Sequence, residues 1–251
     1  MKTKNNFSGS AEYYDIILGK KKFLESSKFV ERILKRNKIR SILEVGCGSG
    51  LYLFSLKKAG FDIEGLDISK EMLDIARKNK PKVRLYLKDM SNFKINKRYD
   101  AILCLNSSLI LLPNFKLIEK TIRNISKHLS NGGLFLIDLP NHPVEIKKNN
   151  HIEIEEKSKI KGGSLKINST EYKEKNKWIT EWRGKVTKGK IVENFQENYE
   201  ELIYSPKNLE KSLKDAGFTI LKVFGSRKGG EFYEGKSWRR FYLCQKGRSS
   251  N

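Results

Sequence analysis

Apolar and polar positions change rhythm twice along the chain. Ile42-Leu43-Glu44-Val45 is a short apolar run entering a glycine turn, and Leu51 to Lys58 then has helical spacing closed by Gly60. Asp62 to Leu66 and Val83 to Leu87 read as the second and third strands, separated by a helix from Ser69 to Lys78 with Ser69 as N-cap. Tyr99 to Leu105 gives a fourth strand. In the helix from Asn114 to Leu129, Ile118, Ile122, Ile125 and Leu129 recur at spacings of four, three and four. Asn131-Gly132-Gly133 is expected to end that helix and launch a fifth strand, Leu134 to Leu139. Two helical pieces precede these units, Ala11 to about Leu18 and about Phe23 to Arg36. Strands alternating with helices of this length require crossovers, and so a parallel sheet covered on both faces.

After Pro140 the helical period disappears. Two-residue alternations take over in His151-Ile152-Glu153-Ile154-Glu155, in Ser164 to Asn168, around Trp178 to Trp182 and from Ile191 to Ile203. Gly162-Gly163 and Lys188-Gly189-Lys190 separate them as turns. Three or four antiparallel strands with one wet face are expected, laid over the main domain. Ser205-Pro206 then starts a helix through Leu213 that ends at Gly217. Thr219 to Phe224 and Arg239 to Gln245 close the chain as strands. The expected organisation is a helical segment (1–40), an α/β core (41–140), an inserted antiparallel sheet (141–204) and a helix with strands completing the core (205–251).

Composition narrows the class. Of 251 residues, 38% are hydrophobic and 10% aromatic, too apolar for a disordered chain. No apolar run approaches the roughly 18 residues of a membrane span. Met1 to Asn6 lacks the apolar stretch of a secretory signal, so a soluble cytoplasmic protein is expected. The three cysteines and three histidines are scattered, which predicts no metal site and free thiols. Cys104 falls inside a buried strand and is expected to pack the core rather than act as a nucleophile. The net charge is +22, mostly lysine alternating with acids, as in Glu171, Lys173, Glu174 and Lys175. A solvated surface is the favoured meaning, with a structured RNA partner as the alternative.

The chemistry concentrates in Glu44-Val45-Gly46-Cys47-Gly48-Ser49-Gly50. A glycine bend between a buried strand and a helix lets a ligand approach the backbone, at the strand ends where ligands of open α/β sheets bind. The spacing is GxGxG, not the GxGxxG of a dinucleotide fold. Glu44 suits an ammonium group better than a pyrophosphate. Asp67, ending the second strand, is placed to accept from both hydroxyls of a ribose, and Asp89, after the third, from an adenine amine. Together they describe a nucleoside with an amino-acid tail and no phosphate.

Over about Ile42 to Leu139 the chain resembles the class I S-adenosylmethionine-dependent methyltransferases. The resemblance rests on the glycine bend, Gly65-Leu66-Asp67-Ile68-Ser69, Lys88-Asp89-Met90 and Leu129-Ser130-Asn131-Gly132-Gly133. It implies a Rossmann-like fold, a seven-stranded mostly parallel sheet whose last strand is antiparallel, with the small antiparallel sheet inserted as a lid. It implies S-adenosyl-L-methionine as cofactor and S-adenosyl-L-homocysteine as product. Gly46, Cys47, Gly48 and Gly50 would hold the methionine part beside Glu44, Asp67 the ribose and Asp89 the adenine. Ile68, Met72, Met90, Leu105 and Asn106 would complete the cofactor site.

The flanks resemble the small-molecule branch, with amino-deoxysugar N-methyltransferases nearest and glycine N-methyltransferase more distant. In that branch the amino-terminal segment closes over the cofactor, which makes Tyr14 a candidate for cofactor or acceptor contact. His142, just past the fifth strand, is the candidate acceptor-site base, and His128 is expected on the surface. Trp178, Trp182 and Tyr199 either line an acceptor pocket or pack the inserted sheet. The expected activity is direct SN2 methyl transfer to a small molecule, an amine among the candidates, by a monomer or homodimer without a membrane partner. Methylation of structured RNA and a non-catalytic cofactor-binding role are the alternatives.

Overall fold

The computed structural model describes residues 7, 9–79, 83–142 and 151–247. Met1 to Asn6 and Pro143 lie outside the described residues. Helices α1 (Tyr14–Ile17) and α2 (Lys20–Arg36) lead into β1 (Ser41–Val45), α3 (Leu51–Lys58), β2 (Asp62–Asp67) and α4 (Lys70–Asn79). Strands β3 (Leu85–Leu87) and β4 (Tyr99–Cys104) follow, then a 3-10 turn (Ser108–Leu111), α5 (Phe115–His128) and β5 (Leu129–Pro140). Four long strands come next: β6 (His151–Ile160), β7 (Gly163–Glu174), β8 (Lys177–Lys188) and β9 (Ile191–Leu202). Helix α6 (Pro206–Asp215), β10 (Phe218–Phe224) and β11 (Arg239–Lys246) complete the series.

Seven strands form one sheet in the order β3-β2-β1-β4-β5-β11-β10. Every pairing is parallel except those of β11, which runs antiparallel to β5 and β10. Strands β6 to β9 form a separate antiparallel sheet in sequence order. This is the Rossmann-like sheet with an inserted antiparallel layer that the sequence implied.

The two-residue period of each strand sorts its side chains between two apolar layers. Ala101, Leu103, Leu134 and Leu136 pack with Val30 and Leu34 of α2 and Leu53 of α3. Ile102, Phe135 and Ile137 face the other way, onto Ile118, Ile122 and Ile125 of α5 and Leu213 of α6. Side-chain caps start the helices where the sequence placed them. Ser69 Oγ accepts from Met72 N at 3.2 Å, and Ser205 Oγ from Asn208 N at 3.4 Å.

Two expectations need correction. Asn131-Gly132-Gly133 does not separate helix from strand. Leu129 is already extended and pairs with Tyr99, while the next pair joins Ala101 to Leu134, so the residues between bulge from the ladder. Gly132 takes φ +76° there, and a Cβ on Gly133 would sit 2.9 Å from the Ser130 carbonyl oxygen. His128 is half-buried rather than a free surface residue. Its ring lies 4.3 Å from that of Phe93, and Nε2 accepts from Ile95 N at 3.3 Å.

The small sheet has one dry face and one wet face. Leu165, Ile167, Trp182 and Val186 pack with Phe7 and Tyr13 of the amino-terminal segment and with Met72 of α4. Glu197 Oε2 fastens that segment by accepting from Gly9 N, Ser10 N and Ser10 Oγ at 2.9, 3.1 and 3.2 Å. Outside, Glu155 pairs with Lys157 and Lys166, exposed ion pairs that add little stability. Among the described residues no helix is long and apolar enough to cross a membrane.

Gly65 marks a close approach of β2 to α3, because a Cβ there would fall 2.4 Å from Leu53 Cδ1 and 2.8 Å from Cys47 Sγ. Gly65→Ala is expected to lower the unfolding free energy by about 1–3 kcal/mol through overpacking, read from the urea midpoint at unchanged m-value.

Candidate functional site

The glycine bend hangs between the ends of β1 and β2. Gly46 N and Cys47 N both donate to Leu66 O, at 2.8 and 3.0 Å, so the bend is pinned to the neighbouring strand. Asp67 closes it from the side: Oδ2 accepts from Gly48 N at 2.8 Å and Oδ1 from Ser69 N at 2.9 Å. Gly48 sits at φ +51° with nothing within 4 Å of an added Cβ, so its bare backbone edge faces open space. Gly50, at φ +85°, plays a different part. It caps α3, and a Cβ would strike the Phe54 ring at 2.6 Å.

A cavity of about 200 Å³ opens beside this bend. Gly46, Gly48, Asp67 and Asp89 form its polar edge. Ile68 and Met72 supply one apolar wall, and Met90 with Leu111 and Leu117 another. A small annex of about 30 Å³ continues toward Glu44, Cys47, Leu105 and Asn106. Of the residues the sequence singled out for the cofactor, only Gly50 stays off these walls. It holds the bend rather than facing the space.

Electrostatics distinguish the acids. Glu44 is 3% exposed, and its Oε2 is a buried oxygen without a hydrogen-bond partner. Burial, and then the charge of Asp67, push its carboxyl well above the usual range. Burial also raises Asp67, opposed by the backbone N–H groups of Ser69 and Gly48. Burial raises the thiols of Cys47 and Cys104 too, which keeps both protonated.

A second cavity, of about 270 Å³, lies between the main sheet and the inserted one. Tyr14 and Asn106 belong to both this cavity and the annex, and Tyr14 also to the first cavity. Asn106 Nδ2 donates to the Tyr14 hydroxyl at 3.3 Å, and burial followed by the charge of Asp67 raises that phenol. Trp178, Trp182 and Tyr199 line the second cavity from the inserted sheet. Trp182 and Tyr199 also pack against Phe7 of the amino-terminal segment.

His142 is placed elsewhere. It is fully buried, T-shaped against Tyr204 at 5.9 Å, with Nε2 3.7 Å from Glu201 Oε2. Among the described residues it is on the wall of neither cavity; Glu201 stands there instead.

No local motif marked the ionic cluster at the core end of this cavity. Asp138 of β5 is wholly buried, accepting from Arg227 Nε at 2.6 Å, Arg239 Nε at 3.0 Å and Asn106 N at 3.1 Å. Burial raises its carboxyl, but the two guanidinium groups outweigh that and hold it below the usual range. The same residue shapes the turn after β4, where Asn106 and Ser107 take φ +52° and +67°, an uncommon conformation for residues with a Cβ. Ser107 N donates to the Asp138 carbonyl at 2.9 Å, and Arg239 Nη2 to Ser107 Oγ at 3.2 Å.

The methyltransferase domain family matches residues 19–223, and the chain belongs to it. Its sequence is 29% identical over 138 residues to the dTDP-3-amino-3,6-dideoxy-alpha-D-glucopyranose N,N-dimethyltransferase of Streptomyces fradiae, across 53% of this chain and 54% of that protein. The chain thus spans about half the length of the curated amino-sugar relatives it matches. In fold it is similar to an S-adenosylmethionine-dependent methyltransferase from Clostridium acetobutylicum ATCC 824, with a TM-score of 0.81 at 24% identity over 97% of this chain and 100% of that one. Streptomyces venezuelae DesVI gives the same TM-score at 22% identity, over 94% and 98%.

Replacing Asp138 leaves two guanidinium groups facing each other without their shared carboxylate. Asp138→Asn is expected to cost about 3–5 kcal/mol, the usual penalty for breaking a buried ion pair. Urea unfolding at neutral pH measures it.

Proposed function

We propose that the chain binds S-adenosyl-L-methionine in the first cavity and transfers its methyl group to a small-molecule amine held in the second. The observation that carries this reading is the row Glu44, Asp67 and Asp89 around an exposed glycine edge, with Tyr14 joining the two cavities. The residues fit such a ligand. Glu44 keeps a buried oxygen without a partner, which matches an incoming ammonium. Asp67 has about four lone-pair positions and uses part of them on Gly48 and Ser69, leaving acceptors for ribose hydroxyls. Ile68, Met72, Met90 and Leu111 supply apolar surface for a planar base.

When bound, the cofactor supplies an electrophilic methyl group on a sulfonium centre. The chain's own residues then have three tasks. Glu44, Asp67 and Asp89 fix orientation by accepting hydrogen bonds at three separated points. Tyr14 and Asn106 form the shared wall across which the acceptor nitrogen is aligned; such positioning is worth roughly 7–11 kcal/mol in favourable cases. Phe7, Trp182 and Tyr199, packed ring against ring at 5.2–6.4 Å, roof the junction and keep water out. The amino-sugar relatives support an amine as acceptor, and the aromatic walls support a small molecule.

Calorimetric titration with S-adenosyl-L-homocysteine tests the reading. The intact chain is expected to bind it, and Asp67→Ala to weaken binding about 10–150-fold, since a hydrogen bond to a charged group contributes about 1.5–3 kcal/mol. Absence of binding by the unaltered chain would reject the assignment.

A further inference from the structure

The inserted sheet brings two carboxylates to the second cavity, and the charge of Arg227 acts on Glu201 only through space, outside ion-pair distance. Glu171 of β7 and Glu201 of β9 both line the cavity. Register places them on the inward face: Glu171 lies opposite Thr180, and Glu201 opposite Trp178. Two other acids of this sheet pair with lysines, Glu155 with Lys166 and Glu200 with Lys177. Among the described residues neither Glu171 nor Glu201 has a Lys or Arg in ion-pair range. The two guanidinium groups on the far wall, Arg227 and Arg239, are held by Asp138.

A second observation points the same way. His142 has a side chain 1% exposed, aimed with Nε2 at Glu201 from behind, and neither ring nitrogen has a hydrogen-bond partner. A buried polar group left without a partner costs free energy, so this corner is incompletely paired as it stands, and His142 reaches the cavity only through Glu201. Trp178, Trp182 and Tyr199 add aromatic faces, which attract cations.

We propose that Glu171 and Glu201 form an ammonium subsite for the acceptor, and that Glu171 takes a proton from the bound nitrogen. This rests on the methyltransferase reading and assigns the amine its place in the cavity. A protonated amine has no lone pair to offer. In the transfer an N–H bond breaks, a bond from hydrogen to Glu171 Oε forms, and the electron pair stays on nitrogen. The groups facing Glu171 are Trp178 of β8, whose Nε1 donates to it at 3.3 Å, Ser169 Oγ of its own strand at 3.5 Å, and Glu201 with Tyr199 of β9. Burial and then the charge of Glu201 raise its carboxyl, opposed by those two donors. Glu171 is therefore a better proton acceptor than an exposed glutamate. His142 is the positioning partner of Glu201, not the group that meets the acceptor.

The test uses the full chain loaded with S-adenosyl-L-homocysteine and titrated calorimetrically with primary n-alkylammonium chlorides, ethyl to hexyl, beside the matching alcohols. At least one ammonium is expected to bind tenfold or more tightly than its alcohol. Glu171→Gln, which keeps an acceptor for Trp178, and Glu201→Gln should each remove most of that difference. Affinity should fall as pH drops through the raised range of Glu171, and Glu171→Gln should flatten that limb. Equal binding of alcohol and ammonium, or unchanged ammonium affinity in both variants, overturns the subsite. So does failure of every ammonium to bind while the homocysteine compound does, an outcome that leaves the methyltransferase reading intact; failure of that compound itself removes the reading instead. If either variant melts early, the pH dependence of ammonium binding to the unaltered chain decides.

Discussion

Strands β1 and β2 run parallel in register from Ser41 opposite Asp62 to Val45 opposite Leu66, and both end at the same level of the sheet. One carboxylate, Asp67, takes N–H groups from the bend beyond the first strand and from the helix entry beyond its own. That arrangement fixes where the bare backbone of Gly48 faces and sets Glu44 and Asp89 on either side. Without it the bend would lose its lateral anchor, and the cavity its floor. The hydrophobic layers above and below make the sheet; this polar junction makes it a site.

The opposite rim depends on a different principle. Asp138 sits in a run of apolar residues, Leu134 to Leu139, where a charge without a partner would be costly. Two arginines from the loop and strand that close the chain supply that partner, and the backbone of Asn106 and Ser107 is drawn into an uncommon conformation around it. Residues nearly one hundred positions apart are thereby held as one wall.

Much of the core was legible because parallel strands buried on both faces write themselves as unbroken apolar runs, and because Ser69 and Ser205 cap helices through purely local bonds. The glycine bend, Asp67 and Asp89 were legible for a similar reason: each lies within a few residues of a strand end. The charged part of the second cavity's wall was not, since Asp138, Glu171, Glu201 and the two arginines come together from β5, β7, β9, β11 and the loop before it. Signals did exist. Asp138 interrupts an apolar run, and Glu171 shares the parity of Leu165 and Ile167, so it was bound to face inward once those two did. The bulge at Gly132-Gly133 misled because a paired glycine ordinarily announces a turn, whereas here it relieves crowding inside a ladder.

Tyr14 ends with an obligation to both chambers at once. Its phenol is part of the boundary of each, so any adjustment the first occupant imposes on that ring is inherited by the second. Thermodynamic reciprocity requires the influence to run equally in both directions. For ligands bound as proposed, a single shared side chain is thus the shortest route by which one occupancy could bear on the other.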